Sequence, residues 1–285
     1  MAPDPAIGRR AALALAAASA MSACRARPAP PTALPAARTD GKPATTLPAF
    51  MSWQPHPGEI QVEAKLAAVR RIERAGNVSG RRLHVIDAQY GGLLSDSASV
   101  LVVCESWALD HGRIVSDGHT FDVRLIRSGT AWQVTLVRPS SPGRPQAGLS
   151  TAARRVLATS RISLPPAARG DVEAGQVHDS VLETMLAVSK RWPIAVSVVR
   201  SGHPQYVFGT TRLSDHPRGR AFDTWAIDQV PVVAAGAPNP AVPAYMEALA
   251  ALGSYNVGGP VLLGAAPQFF SDQTHHDHVH AGFLT

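Results

Sequence analysis

An α+β fold built in two parts is predicted by three patterns in the 285-residue chain. Val62, Leu66, Val69 and Ile72 recur at helical spacing, and Leu182, Met185, Leu186 and Ser189 do so again further on. Phe121, Val123 and Leu125 alternate with polar residues, as do Trp132, Val134 and Leu136, and Ser128-Gly129-Thr130 between them supplies a hairpin turn. Dividing the chain, Pro139-Ser140-Ser141-Pro142-Gly143-Arg144-Pro145-Gln146 has the composition of a linker.

Residues 1–24 read as a targeting segment. Arg9-Arg10 precede an apolar run over 11–21 that is too short to span a membrane. The run ends at Met21-Ser22-Ala23-Cys24, which resembles a bacterial lipoprotein signal whose Cys is lipidated. The paired arginines also resemble a twin-arginine export signal, without the Phe-Leu-Lys that usually follows. Cys24 is therefore the candidate lipidation site. The expected location is outside the plasma membrane, held by a lipid anchor or freely secreted. Residues 25–50, rich in Pro, Ala and Thr, cannot bury a core and read as a tether. With Cys24 consumed, Cys104 has no partner, so a buried small hydrophobe is expected rather than a disulfide.

Residues 51–140 read as a small α+β domain. A helix over 59–74, strands over 81–89 and 99–107, and the hairpin give one helix on a four-stranded antiparallel sheet. The outline is similar to a cystatin-like or nuclear-transport-factor-like domain. Asp110-His111-Gly112 and Asp117-Gly118-His119 are read as turn formers in a polar loop. No chemistry is legible in this part, and a binding or spacer role is expected. Residues 141–148 form the linker and 149–285 the second domain. There, Ser150 caps a helix to 157, Pro165-Pro166 opens another to 174, and Asp179 caps a third that Trp192-Pro193 ends. Strands over 194–200 and 221–227 and a helix over 242–252 complete a small sheet covered on one face.

The chemistry-bearing residues gather in two stretches. Four histidines and an aspartate fall within the six positions His275-His276-Asp277-His278-Val279-His280. A strand from His278 onward puts His278 and His280 on one face and Val279, Ala281 and Phe283 on the other. Upstream, Ser214-Asp215-His216-Pro217-Arg218-Gly219-Arg220-Ala221-Phe222-Asp223 brings a His and a carboxylate from a turn and the strand it feeds. Two imidazoles and one carboxylate, His216, His280 and Asp223, make the open type of zinc site, with a water in the fourth position. Taken singly, the His-rich run is compatible with a weak metal-binding tail, His216 with a loop histidine and Asp223 with an ion-pair partner of Arg220. The same trio can serve non-haem iron, although such sites usually place His and Asp one residue apart.

Ser214-x-His216-x-x-Gly219-x-Ala221-x-Asp223, followed by Asp277-x-x-His280 with His278 between, resembles the zinc D-alanyl-D-alanine peptidase family, over about residues 176–283. That family has the Hedgehog-like fold and includes D-Ala-D-Ala carboxypeptidases, dipeptidases and phage L-alanyl-D-glutamate endopeptidases. The resemblance implies one Zn2+ held by His216, Asp223 and His280. It implies Asp277 as general base toward the metal-bound water, and His278 as the group stabilising charge on the tetrahedral intermediate. It implies peptidoglycan stem peptides as substrate. The family's Ser-Gly-Tyr-Arg element reads Ser201-Gly202-His203-Pro204 here, so its carboxylate-binding Arg is missing. Arg200 and Arg212 are the candidates to replace it, a guanidinium being suited to bidentate carboxylate binding. The scissile bond is left open. A non-hydrolytic zinc-containing binding protein on the same fold is the alternative. The net charge of +6 suits an anionic cell envelope, and no nucleic-acid motif is present.

Overall fold

The computed structural model describes residues 46–234 and 236–285, so Cys24, the targeting segment and most of the tether lie outside the described residues. The chain is α+β, with one antiparallel and one mixed sheet. Among the described residues, no helix is long and apolar enough to cross a membrane.

The first sheet follows helix α1 (Val62–Gly76) and comprises β1 (Arg81–Leu93), β2 (Ser97–Asp110), β3 (Arg113–Asp117), β4 (Thr120–Ser128) and β5 (Ala131–Pro139). The strand order is β1-β2-β4-β5, with β3 pairing the end of β2, and every pairing is antiparallel. β3 occupies the stretch expected to be a polar loop. His111 and Gly112, both at positive φ, make the tight turn that folds it back on β2. The buried face of α1 is also turned relative to the apolar stripe. It is formed by Ala64, Lys65, Ala68, Val69 and Ile72, and Leu66 is only partly buried. Small alanines let the helix lie close on Val85, Val100, Val102 and Leu125. Cys104 is buried in this core as a free thiol.

The second sheet is built from β6 (Ile162–Ser163), β7 (Ile194–Val198), β8 (Ala221–Ile227), β9 (Val230–Pro231), β10 (Asn256–Gly258), β11 (Phe269–Phe270) and β12 (Val279–Gly282). Its order is β11-β10-β12-β8-β7-β6, with β9 on β8. The β6–β7 and β10–β11 pairs are parallel. Helices α2 (Thr151–Ala158), α3 (Pro166–Glu173), α4 (Asp179–Ser189) and α5 (Val242–Ala251) enclose one core with it. The Ser150 hydroxyl accepts the Ala153 N–H and caps α2. Asp179 is the first residue of α4 rather than its cap, which is the extended His178, and the Asp179 carboxylate accepts from the Ser150 hydroxyl at 2.6 Å.

Period-two alternation decides which side chains reach the site. On β8, Phe222 joins the helix-side core and Thr224 meets the Tyr245 hydroxyl of α5 at 2.9 Å, so Asp223 points the other way. On β12, Val279 and Ala281 join the same core and His280 points with Asp223. That opposite face lies against the first sheet, where Val198 packs on Leu101 and Val103. The order of layers is helix, sheet, sheet, helices, and the site lies between the sheets.

Candidate metal centre

The site is assembled by strand register and one tight turn. β12 runs antiparallel to β8 with His280 directly opposite Asp223. Directly opposed side chains on one face are nearest neighbours, so this register alone brings the two together. His216 enters from a single 3-10 turn, His216–Arg218, closed by Gly219 at φ 69°. A Cβ on Gly219 would lie 2.1 Å from the Gln176 carbonyl oxygen, so no other residue fits there.

His216 Nε2 lies 3.1 Å from Asp223 Oδ1 and 3.1 Å from His280 Nδ1, and His280 Nδ1 lies 3.0 Å from Asp223 Oδ1. All three side chains are buried. His216 Nδ1 is 2.8 Å from the Val199 carbonyl, which can only accept, so Nδ1 carries a hydrogen and Nε2 is the nitrogen turned toward Asp223 and His280. Three donor atoms thus form a nearly equilateral face. Tetrahedral zinc with bonds of about 2.0–2.1 Å sets its ligand atoms about 3.3 Å apart, and the face matches that spacing. Burial works to raise the Asp223 pKa, but His216 and then His278 overcome it and hold the carboxyl well below its ordinary value. Burial pulls His280 down to about 4, against the pull of Asp223, so its nitrogen is a free base at neutral pH. An ionised carboxylate at Asp223 and an unprotonated imidazole at His280 are states a cation requires of its ligands.

His278 and Asp277 stand beside this face. His278 Nε2 is 3.8 Å from Asp223 Oδ2, and His278 Nδ1 is 2.6 Å from Asp277 Oδ1. Burial opposes charge on His278, but Asp223 and Asp277 outweigh it and raise its pKa to about 9. Asp277 does not line the cavity. Its Oδ2 accepts the Tyr90 main-chain N–H at 3.1 Å and pairs with Lys65 Nζ at 2.6 Å. Burial is again overcome, here first by Lys65, and the Asp277 carboxyl is held far below its ordinary range. Asp277 is thus the carboxylate that orients His278, and both of its oxygens are engaged.

The centre lies at the wall of a cavity of about 410 Å³ lined in part by Phe208, Arg212, Phe270, His275, His278 and His280. Arg212 reaches this cavity. Arg200 does not: it lies 3.9 Å from Asp171 and borders a separate depression. Of the two histidines with no expected role, His275 lines the cavity and donates from Nδ1 to Asp272 at 2.8 Å. His276 faces away, where its Nε2 accepts the Ile60 N–H at 3.3 Å.

His203 also brings a nitrogen within 4.8 Å of His216 and Asp223. Its ring stacks on His216, with centroids 4.1 Å and planes 17° apart. A cation held by His216 would approach in the plane of that ring, away from the nearly parallel plane of His203. His203 is therefore a cover over His216 rather than a ligand of the same ion. Sequence reasoning missed the residues that β1 and α1 contribute. Gln89 Nε2 donates to Asp223 Oδ2 at 2.7 Å, and Lys65 lies fully buried against Asp277 and Glu59. The part of the chain expected to have a binding or spacer role supplies a wall of the site. A lysine one residue off an apolar stripe was the only local signal. No family model matches the chain, and no curated protein or solved structure shows significant similarity to it.

Proposed function

We propose that the chain is a zinc-dependent peptidase that hydrolyses bonds beside D-amino acids in peptidoglycan stem peptides, with residues 149–285 as a Hedgehog-like domain. The observation that carries this reading is the three-donor face of His216, Asp223 and His280, open on one side to a peptide-sized cavity. Bound zinc would supply an acidic water near neutral pH and polarise the scissile carbonyl. His278 is the acid–base group that opens on the cavity, so it holds and moves the proton at Nε2 while Asp277 fixes its ring through Nδ1. Arg212, on the cavity wall, takes the carboxylate-binding role left vacant at Pro204. Phe208 and Phe270 give the cavity its apolar walls. Export and anchoring through Cys24 bring such a site to its substrate outside the membrane.

One observation favours the second reading, a non-hydrolytic zinc-containing envelope protein: neither Asp277 oxygen is free to take a proton from water. Mass spectrometry of muropeptides and defined stem peptides incubated with the zinc-loaded protein separates the two. The expected result is cleavage next to a D-residue, none in all-L controls, and loss of cleavage on chelation. Intact D-containing peptides in the presence of a fully loaded site would move the chain to the binding class.

A further inference from the structure

Two successive residues of β1 grip the two carboxylates of the site. Gln89 donates from Nε2 to Asp223 Oδ2 at 2.7 Å, and Tyr90 donates its main-chain N–H to Asp277 Oδ2 at 3.1 Å. Gln89 is buried and its other end is fixed, because Oε1 accepts from the Ser197 hydroxyl. The partners set the direction of the amide. An ionised carboxylate only accepts, and a serine hydroxyl has a hydrogen to give. Asp223 therefore has one oxygen, Oδ2, committed to the first sheet and one, Oδ1, committed to the face shared with His216 and His280.

We propose that Gln89 is a positioning residue of the metal centre, restraining Asp223 to offer a cation a single oxygen. The inference rests on the metal-centre reading above. A carboxylate with both oxygens free can chelate through both and take a coordination position that a catalytic site leaves to water. A neutral amide prevents this without setting a positive charge beside the cation, as a lysine or arginine would. The metal centre is then a property of the whole described chain, since the residue that shapes its carboxylate ligand precedes it by 134 positions.

The test uses the full chain and Co2+, whose visible absorption reports coordination number. Gln89→Met removes the donor at nearly unchanged length. Hydrogen-bond partners of metal ligands typically contribute about 10–100-fold in affinity, so chelator competition is expected to show a loss of that order. The visible bands should also weaken as Asp223 takes the ion with both oxygens. Ser197→Ala frees the far end of the amide and should shift both readouts the same way by less. Circular dichroism of the chelated proteins checks the fold, and if Gln89→Met does not fold, Ser197→Ala decides. A wild-type chain that binds no Co2+ overturns the metal centre and this inference with it. A wild-type chain that binds, with both variants matching it in affinity and spectrum, overturns the role of Gln89 alone.

Discussion

Two clusters in this molecule have nearly the same composition and opposite characters. His216, Asp223 and His280 bring three donor atoms to within 3.0–3.1 Å of one another. Glu59, His276 and Asp277 also bring one donor atom each to within 4.8 Å. In the second cluster the place of a cation is already taken. Lys65 puts its ammonium against Glu59 and 2.6 Å from Asp277, and the Ile60 N–H takes the His276 lone pair. Asp277 and Glu59 raise the Lys65 pKa despite complete burial, so this internal cation stays charged. Among the described residues the first cluster has no such occupant. Its donors are answered at the back, by Val199 and Gln89, and meet only one another at the front. Residue type does not separate a metal site from an ion-pair network; what lies in the middle does.

The largest expected effects follow from emptying the first cluster. His216→Ala, Asp223→Ala or His280→Ala should abolish tight metal binding, because two remaining donors form a weak chelate. His278→Ala should retain the metal. Metal analysis after mild chelation checks all four, and a fully loaded His216→Ala protein would sink the assignment.

Asp277→Asn comes next. It should keep the metal and lower turnover on a D-containing stem peptide by about 10²–10⁴-fold, the usual span for a group on which proton transfer depends. The loss comes from a misoriented His278, so His278→Ala and the double variant should be no worse than a further few-fold. Turnover of the loaded variants measures it, and multiplying losses would show two independent roles.

Lys65→Met tests the second cluster. It takes the ammonium from two buried carboxylates and leaves Asp277 with His278 alone; removing one partner of a buried pair typically costs about 3–5 kcal/mol. Denaturant unfolding of the chelated variant should show that loss. Stability within experimental error of the wild type would mean that the ammonium is not what neutralises Glu59 and Asp277.

The sequence made the first cluster legible and hid the second. The spacing from Ser214 to Asp223 and the alternation through His278-Val279-His280 are local, and local pattern is enough to set β8, the turn at Gly219 and the face of β12. The cap at Ser150 and the hairpin at Gly129 were readable for the same reason. Lys65 and Gln89 were not, because their partners Asp277 and Asp223 lie 212 and 134 positions away, and a lysine beside an apolar stripe does not say what it pairs with. β3 was missed because its turn, His111-Gly112, reads like any polar loop. The face that α1 buries depends on how closely Ala64 and Ala68 approach the sheet, which an apolar stripe does not encode.

The smallest effect expected is also the most specific to this comparison. The second cluster holds one carboxylate too many. Asp87 is buried near Lys65, Asp277 and Glu59, and its Oδ2 has no hydrogen-bond partner among the described residues. Burial raises its pKa from 3.8 to about 7, with Lys65 opposing and the two carboxylates adding to the rise. Below the unfolded value, Asp87 is protonated in both states and folding pays nothing for it. Between that value and about 7 the unfolded chain gives up the proton first, so stability falls as pH rises through this window, and the deficit is constant above it. Asp87→Asn removes the titration. The difference in Tm between variant and wild type should therefore move in favour of the variant from about pH 5 to about pH 8, whatever its sign at the lower end. Both proteins share every other titrating group, and the two that Asp87 itself raises, Lys65 and His278, titrate above this range, so those contributions cancel in the difference. Parallel Tm curves over that range would show that Asp87 has a counter-charge after all, and that Lys65 serves three carboxylates rather than two.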